Sequence, residues 1–242
     1  MSGRALRGVA TLLAIAAAVS PALGQEEAVG IDLSGEDAGF VRLLLLFASV
    51  AIAPALLAVL TSFARIIVVL LFLRAGIGAR EIPPTYVLIG LAILLTVVSM
   101  LTTLQPIYEE SIVPLLGGEE TLAEAAEGVE APLRAFMTAQ VRDEDLALMA
   151  SLAEAPAVTA AEAPLSVLAS AFAISELRSA FLIGFIIFLP FVIIDIVVAS
   201  TLASIGMLSL PAPLLSLPFK ILLFVMVDGW ALLTEALIST IG

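Results

Sequence analysis

The sequence predicts an all-α integral membrane protein made of helical hairpins, with about four long hydrophobic helical units and a small helical extracytoplasmic segment. Hydrophobic residues make up 62% of the 242 positions, and the mean hydropathy is +1.19. Soluble domains are only about 45–50% apolar. Several apolar runs approach the roughly 20 residues that cross a hydrocarbon core, and patterns typical of β-strands are nearly absent.

Composition excludes several kinds of function. The chain has no Cys and no His, so it lacks disulfides, thiolate metal sites, and the commonest general base and metal ligand. Its formal charge is −12, which disfavours a nucleic-acid partner because phosphate binding needs clustered Lys and Arg. Hydrolytic or metal catalysis is therefore disfavoured, and we expect no cofactor.

The first 24 residues have the form of a secretory signal peptide. Two arginines give its positive region, and the apolar core Val9–Val19 is too short to span about 30 Å of hydrocarbon. A small-x-small site predicts cleavage between Gly24 and Gln25, and an uncleaved anchor is the alternative. After cleavage, residues 25–40 would form a flexible acidic segment.

The four hydrophobic units fall into two pairs, over residues 41–104 and 165–242. In chain order the units are Leu43–Leu73, Thr85–Leu104, Leu165–Ala203 and Leu214–Leu233. The third unit is too long for one straight span, so Gly184 and Pro190 are its predicted bend points.

Signal peptide and loop charge predict the same topology. A chain that starts outside the cytoplasm crosses inward first, which places Arg74 and Arg80 inside. The second crossing returns the acidic segment 105–164 to the outside. Lys and Arg are then densest in the inner loop, as the positive-inside rule expects.

The acidic segment carries helix signals of its own. Thr121–Glu124 fits a capping box, and Gly128 is interpreted as the stop signal of that helix. A second, amphipathic helix is predicted to start near Pro132. The acidic runs Glu119–Glu120 and Asp143–Asp145 are interpreted as solvated charge.

Three of the charged residues in the second hydrophobic pair lie within or directly after its most apolar stretches: Asp195, Lys220 and Asp228. A charge at the centre of a lone spanning helix costs about 2.5–3.5 kcal/mol, so each should meet a partner, a water-filled path or a subunit interface. If the chain reverses near Leu208, Asp195 and Lys220 lie at similar depth and can form an ion pair. That pair either fixes the hairpin or lines a conduit. Asp228, near Trp230, is interpreted as a helix-end anchor.

Further charges are predicted to be buried. Arg65 interrupts the first apolar run. Glu176 and Arg178 are two residues apart and cannot pair on one helix face, so they should reach other helices or subunits. Small residues at four-residue spacing, among them Ser175 and Ser179, favour close helix contact. Together with these charges, they indicate a homo-oligomer.

Several motifs occur in a specific order between about Leu43 and Leu237. They are Thr61–Leu70, Pro83-Pro84 with Val87–Leu91, Pro132–Arg134 with Asp145–Leu148, Ala171–Leu177, Pro190–Asp195, Leu217–Lys220 and Val227–Trp230. With these motifs the chain resembles the FliP family of flagellar biosynthetic proteins.

The resemblance implies a core subunit of the flagellar type III protein export gate, in the bacterial inner membrane at the flagellar basal body. Members of that family assemble in several copies with FliQ, FliR and other export-apparatus proteins into a helical cone that unfolded flagellar proteins cross. They are not enzymes. The resemblance also gives the buried charges Asp195, Lys220 and Asp228 a structural role.

The family places a methionine-rich loop after a glycine at the position of Gly206. Soft, flexible Met side chains can seal a pore and still yield to varied substrates. Here the loop is Met207-Leu208-Ser209, with one Met where relatives often have several. These three residues are the candidate pore constriction.

Two other functions stay open at this point. A virulence-type injectisome contains a homologous gate subunit, although the signal peptide favours the flagellar branch because injectisome relatives generally lack one. A small-solute transporter or ion channel could instead use Asp195 and Lys220 in its path.

Overall fold

The computed structural model describes residues 51, 55–56, 58–79, 82–155, 159–207 and 209–241. Over these residues the chain is helical, with turns between helices and no β-strand, so the predicted all-α class is confirmed. The signal peptide 1–24, its cleavage site Gly24–Gln25 and the acidic segment 25–40 lie outside the described residues. These three assignments stay predictions.

The described helices follow one another along the chain. They are α1 (Phe63–Ile77), α2 (Thr85–Ser99), α3 (Leu101–Ile107), a π-helical segment (Tyr108–Ile112), α4 (Val113–Gly117), α5 (Leu122–Gln140), α6 (Asp143–Leu152), α7 (Leu165–Ser204), α8 (Ala212–Met226) and α9 (Gly229–Ser239). They build two compact units. The first contains Val97–Ser175 with the described residues up to Ser62, and the second contains Phe63–Thr96 with the residues from Glu176 onward.

One described helix, α7, is long and apolar enough to cross a membrane alone. Two bent pairs, α2 with the helical residues Leu101–Gly117 and α8 with α9, would each qualify as a broken span, which gives up to three spans among the described residues. The structure therefore differs from the sequence prediction in detail. The predicted span Thr85–Leu104 is interrupted at Met100, and Leu214–Leu233 is interrupted after Met226. Helix α7 is unbroken through Gly184 and Pro190, and the predicted bend at these two residues stays a prediction.

Apolar side chains of α3, α5, α6 and the start of α7 form the core of the first unit. Helix α5 supplies Val129, Leu133 and Met137, whose four-residue spacing puts them on one face. The Phe136 ring meets the Phe172 ring edge-on, with centroids 5.6 Å apart. This core holds the acidic segment together as a small helical body, as its helix signals predict.

Helix α5 begins with the predicted capping box. The backbone N–H of Thr121 donates to Glu124 Oε2 at 2.8 Å, and the N–H of Glu124 donates to Thr121 Oγ1 at 3.4 Å. Hydrogen bonds from the Thr121 backbone and side chain lower the pKa of Glu124 below its ordinary value. The capping box is therefore confirmed.

The predicted end of this helix at Gly128 is wrong, and so is the new start near Pro132. Helix α5 runs without a break through both residues. A Cβ on Gly128 would overlap Ser111 Oγ of the π-helical segment. Gly128 is thus a close-approach residue, because only glycine lets the two segments come this near.

In the second unit, α1 runs parallel to the part of α7 that follows Glu176. Three contacts between them follow in the same order along both helices: Arg65 with Glu176, Phe72 with Phe181, and Gly76 with Phe191. Each helix also gives the other a glycine against which a phenylalanine ring packs. A Cβ on Gly184 would lie 2.5 Å from the Phe72 ring, and one on Gly76 would lie 2.6 Å from the Phe191 ring. Small residues of this kind let membrane helices approach closely.

Replacing Gly184 with Ala should destabilise the second unit. The added methyl would also stand 3.0 Å from Phe72 Cβ, next to the backbone, so the ring cannot simply swing aside. Overpacking of this kind costs about 1–3 kcal/mol. The free energy of unfolding of the detergent-purified chain, measured by denaturant titration, should fall accordingly.

Gly90→Ala is the matched control. Gly90 lies within α2, and a Cβ there meets nothing within 4 Å. This substitution should be neutral or stabilising by about 0.5–1 kcal/mol, since glycine weakens a helix interior. Equal effects at Gly90 and Gly184 would contradict the close contact between α1 and α7.

Candidate functional site

A buried ion pair joins α1 to α7 within the second unit. Arg65 Nε donates to Glu176 Oε2 at 3.0 Å, and Arg65 Nη2 donates to Glu176 Oε1. This two-pronged geometry suits a planar guanidinium facing a carboxylate. The two side chains are only 4% and 1% exposed. Glu176 therefore reaches a partner on another helix, as its sequence context predicts.

The same guanidinium also holds the C-terminal end of α9. Arg65 Nη1 donates to the carbonyl oxygen of Thr240 at 2.7 Å. The last carbonyls of a helix have no intrahelical donor, and a positive charge near them is favourable. Arg65 therefore connects three helices of the second unit, and nothing in the sequence pointed to Thr240 as its partner.

A second ion pair lies within the hairpin of α7 and α8. Lys220 Nζ donates to Asp195 Oδ2 at 2.6 Å, so the pair predicted from spacing is confirmed. Ser216 Oγ donates to the other carboxylate oxygen at 2.5 Å, a contact that sequence reasoning missed although Ser216 is one helical turn before Lys220. The Lys220 side chain is 4% exposed and that of Asp195 is 35% exposed. The pair is thus shielded on the lysine side and partly open on the aspartate side.

Lys220 also lies beside the C-terminal end of α1. A Cβ on Gly78 would stand 3.5 Å from Lys220 Nζ, and Gly78 has a left-handed φ of 80°. This glycine follows the last residue of α1, where carbonyls attract positive charge. Lys220 is therefore placed between a carboxylate on α7 and the negative end of the α1 dipole.

The two remaining predicted charges have a different setting. Arg178 and Asp228 are exposed in the single chain. Their predicted burial is therefore not a property of the isolated chain, and for both residues it stays a prediction about the assembly. Asp228 lies at the break between α8 and α9, next to Gly229 and Trp230.

The candidate constriction follows a well-formed helix end. Met207 N donates to the Leu202 carbonyl at 2.9 Å and Gly206 N donates to the Ala203 carbonyl at 3.1 Å. With φ 79° at Gly206, these bonds form a Schellman motif, which explains the glycine before the loop. Met207 and Ser209 are exposed, whereas Leu208 lies outside the described residues.

In the first unit, the acidic run Asp143–Asp145 differs from its predicted solvent exposure at one residue. Asp143 and Glu144 are exposed, but Asp145 is buried and accepts a hydrogen bond of 2.7 Å from Ser175 Oγ. Reading Asp145 as solvated charge is wrong. The available signal was its spacing, since Asp145 lies four residues before Met149, which packs against the core.

The chemistry of these groups is that of fixed, paired charges. The carboxylates of Glu176 and Asp195 already accept hydrogen bonds from cationic side chains. Over the part of the chain that the structure describes, no three carboxylates come together in a group that could hold a metal ion. The arrangement is suited to holding helices in register.

Glu176→Gln should destabilise the chain by about 3 kcal/mol, at the low end of the cost of breaking a buried pair. The Gln oxygen still accepts one bond from Arg65, but the guanidinium charge is left buried without a counter-charge. The free energy of unfolding in detergent measures this loss.

Glu130→Gln provides the control, since Glu130 forms a partly exposed pair with Arg134 one helical turn away. Its side chain is 42% exposed, and such pairs contribute less than about 1 kcal/mol. Similar losses for the two variants would show that burial adds nothing to the Arg65–Glu176 pair.

Comparison with known proteins shows the family of the chain. The profile of the FliP family matches residues 46–237. The flagellar biosynthetic protein FliP of Caulobacter vibrioides is 45% identical over 238 residues, which cover 96% of this chain and 89% of that protein. The FliP protein of Bacillus subtilis is 46% identical over a region that covers 83% of this chain and 91% of that protein. The FliP protein of Pectobacterium carotovorum is also 46% identical, over 81% of this chain and 77% of that protein. The chain belongs to the FliP family.

Proposed function

We propose that this chain is a core structural subunit of the flagellar type III protein export gate and not an enzyme. With FliQ and FliR, several copies form the channel through which unfolded flagellar proteins pass. The site of action is the bacterial inner membrane at the flagellar basal body, with the mature N-terminus outside the cytoplasm. The observation that carries this proposal is the match to the FliP family over residues 46–237.

The exposed surface of the second unit supports a role inside an assembly. Large apolar side chains on α7 and α8 are open in the single chain, among them Phe185, Ile186, Leu214 and Met226. A groove of about 580 Å³ between these two helices is lined almost entirely by apolar residues, such as Ile194, Val197 and Phe219. Surfaces of this kind are covered by lipid or by other subunits.

The paired charges favour a structural role over small-solute transport. Asp195 accepts hydrogen bonds from both Lys220 and Ser216, and Glu176 accepts two from Arg65. Each oxygen of these carboxylates is thus held by a group of a neighbouring helix. A fixed, paired charge of this kind suits a structural role better than a site that binds and releases a solute.

The flagellar branch is favoured over a virulence-type injectisome by the names of the relatives. The three proteins reported above are flagellar biosynthetic proteins, each covered over three quarters or more of its length. The predicted signal peptide points the same way. A gene neighbourhood that encodes other flagellar components would agree with this assignment.

Lys220→Met should lower the yield of assembled complex when the chain is co-expressed with FliQ and FliR. The substitution keeps apolar volume but leaves the Asp195 carboxylate without its cation. A loss of about tenfold, equivalent to about 1.4 kcal/mol, is expected in the amount of complex recovered by affinity purification. Unchanged yield would contradict a structural role of the pair.

The double variant Lys220→Met with Asp195→Asn separates that role from a conduit. Neither residue then carries a charge, and Ser216 can still donate to the asparagine oxygen. Assembly and motility should recover in part if the pair only fixes the hairpin. Normal assembly without any export would instead indicate that the Asp195 charge acts in transport.

Replacing Met207 and Leu208 with Gly should make the closed gate leak. Large flexible side chains seal a narrow opening, and glycine removes them. Uptake of a small solute by cells that carry the variant should rise several-fold above the parent, whereas Leu210→Gly, just beyond the candidate constriction, should leave it unchanged. Background permeability in the double glycine variant would place the constriction elsewhere.

A further inference from the structure

The break between α8 and α9 has an uncommon backbone conformation. Helix α8 ends at Met226, α9 begins at Gly229, and the two helices are bent by 63°. Asp228, in the break, has φ 51° and ψ 55°, which is the left-handed region. Residues with a Cβ enter this region rarely, and Asp and Asn do so several-fold more readily than others.

The neighbours of Asp228 are packed to fit this bend. The Phe224 ring lies so close to Gly229 that any Cβ there would overlap it. The same ring meets the Trp230 ring edge-on, with centroids 5.3 Å apart. An aromatic contact thus connects the last turn of α8 to the first turn of α9, and it makes no use of the Asp228 carboxylate.

The carboxylate of Asp228 does not act as a helix cap either. It is exposed, and it makes no capping hydrogen bond to α9 although the residue holds the N-cap position. A capping side chain normally belongs to a residue with extended backbone. The left-handed backbone of Asp228 serves the turn and not the cap.

The far end of α9 shows what the bend achieves. Leu233 and Leu237 of α9 are buried, and the carbonyl of Thr240 just beyond the helix accepts a hydrogen bond from Arg65. A straight continuation of α8 could not follow this path. The bend at one end and Arg65 at the other therefore define the position of α9.

We propose that Asp228 acts through its backbone, as the elbow residue that turns α9 toward Arg65, and that its negative charge is dispensable for this role. The elbow belongs to the single chain and does not depend on what the chain assembles with. The sequence alone suggested the opposite assignment, a charge that holds helices or subunits together.

The test uses a single engineered cysteine, because the natural chain has none. Leu237→Cys places a thiol on the buried face of α9. The rate at which this thiol reacts with N-ethylmaleimide measures how often α9 is displaced from its packed position. The full-length chain is purified in detergent with Asp228 intact, or changed to Asn, Gly, Ala or Glu. Ala236→Cys, on the exposed face of the same helix, is the control for access of the reagent.

Asn and Gly at position 228 should leave the labelling rate of Leu237→Cys unchanged or slower, because both tolerate the left-handed conformation. Ala keeps a Cβ without the local polar group, and Glu keeps the charge on a longer side chain. In the Ala and Glu variants, Leu237→Cys should label about five- to thirtyfold faster. This is the increase in the population of displaced α9 that the strain of a left-handed residue would cause. The Ala236→Cys rate should be the same in all five backgrounds.

Two outcomes would overturn the proposal. In the first, the Asn variant labels as fast as the Ala variant, while the Glu variant labels as slowly as the chain with Asp228. The charge of Asp228 would then hold α9 in place, and its backbone conformation would not. If all five backgrounds label equally, the elbow does not position α9 at all.

Discussion

A charge in apolar surroundings must have a partner, and this requirement organises the second unit. Arg65 and Glu176 are almost completely buried and meet through two hydrogen bonds. Desolvating two charges is costly, so such a pair gains little over an apolar contact, but losing one partner is strongly destabilising. The pair therefore acts mainly as a constraint, because α1 and α7 have one register in which both charges are satisfied.

The other contacts of α1 agree with that single register. Between its ends, Phe72 packs on Gly184 and Phe191 packs on Gly76. At its C-terminal end, Lys220 approaches Gly78 while it binds Asp195. Polar contacts specify the two ends and glycine–aromatic contacts fix the separation between them, so a shift along the helix axis would break all of them together.

Outside these contacts, the second unit leaves much apolar surface exposed. Within the hairpin, Lys220 and Ser216 satisfy the Asp195 carboxylate, whereas much of the apolar surface of α7 and α8 is exposed. That apolar surface is available for contact with lipid or with other proteins. The first unit is built differently, around the apolar face of α5 and the buried Asp145–Ser175 hydrogen bond.

The sequence alone was sufficient to predict the helical class, the capping box at Thr121 and the pairing of Asp195 with Lys220. The first two depend on residues that are near one another in sequence. The third depends only on equal depth of the two residues in a hairpin. Tertiary structure decided what depends on residues far apart. Gly128 lies inside a helix because another segment packs against it. Asp145 can be buried because the hydroxyl of Ser175, distant in sequence, donates a hydrogen bond to its carboxylate. Arg65 finds Glu176 and the end of α9 only after three helices come together, and no local pattern encodes such a meeting.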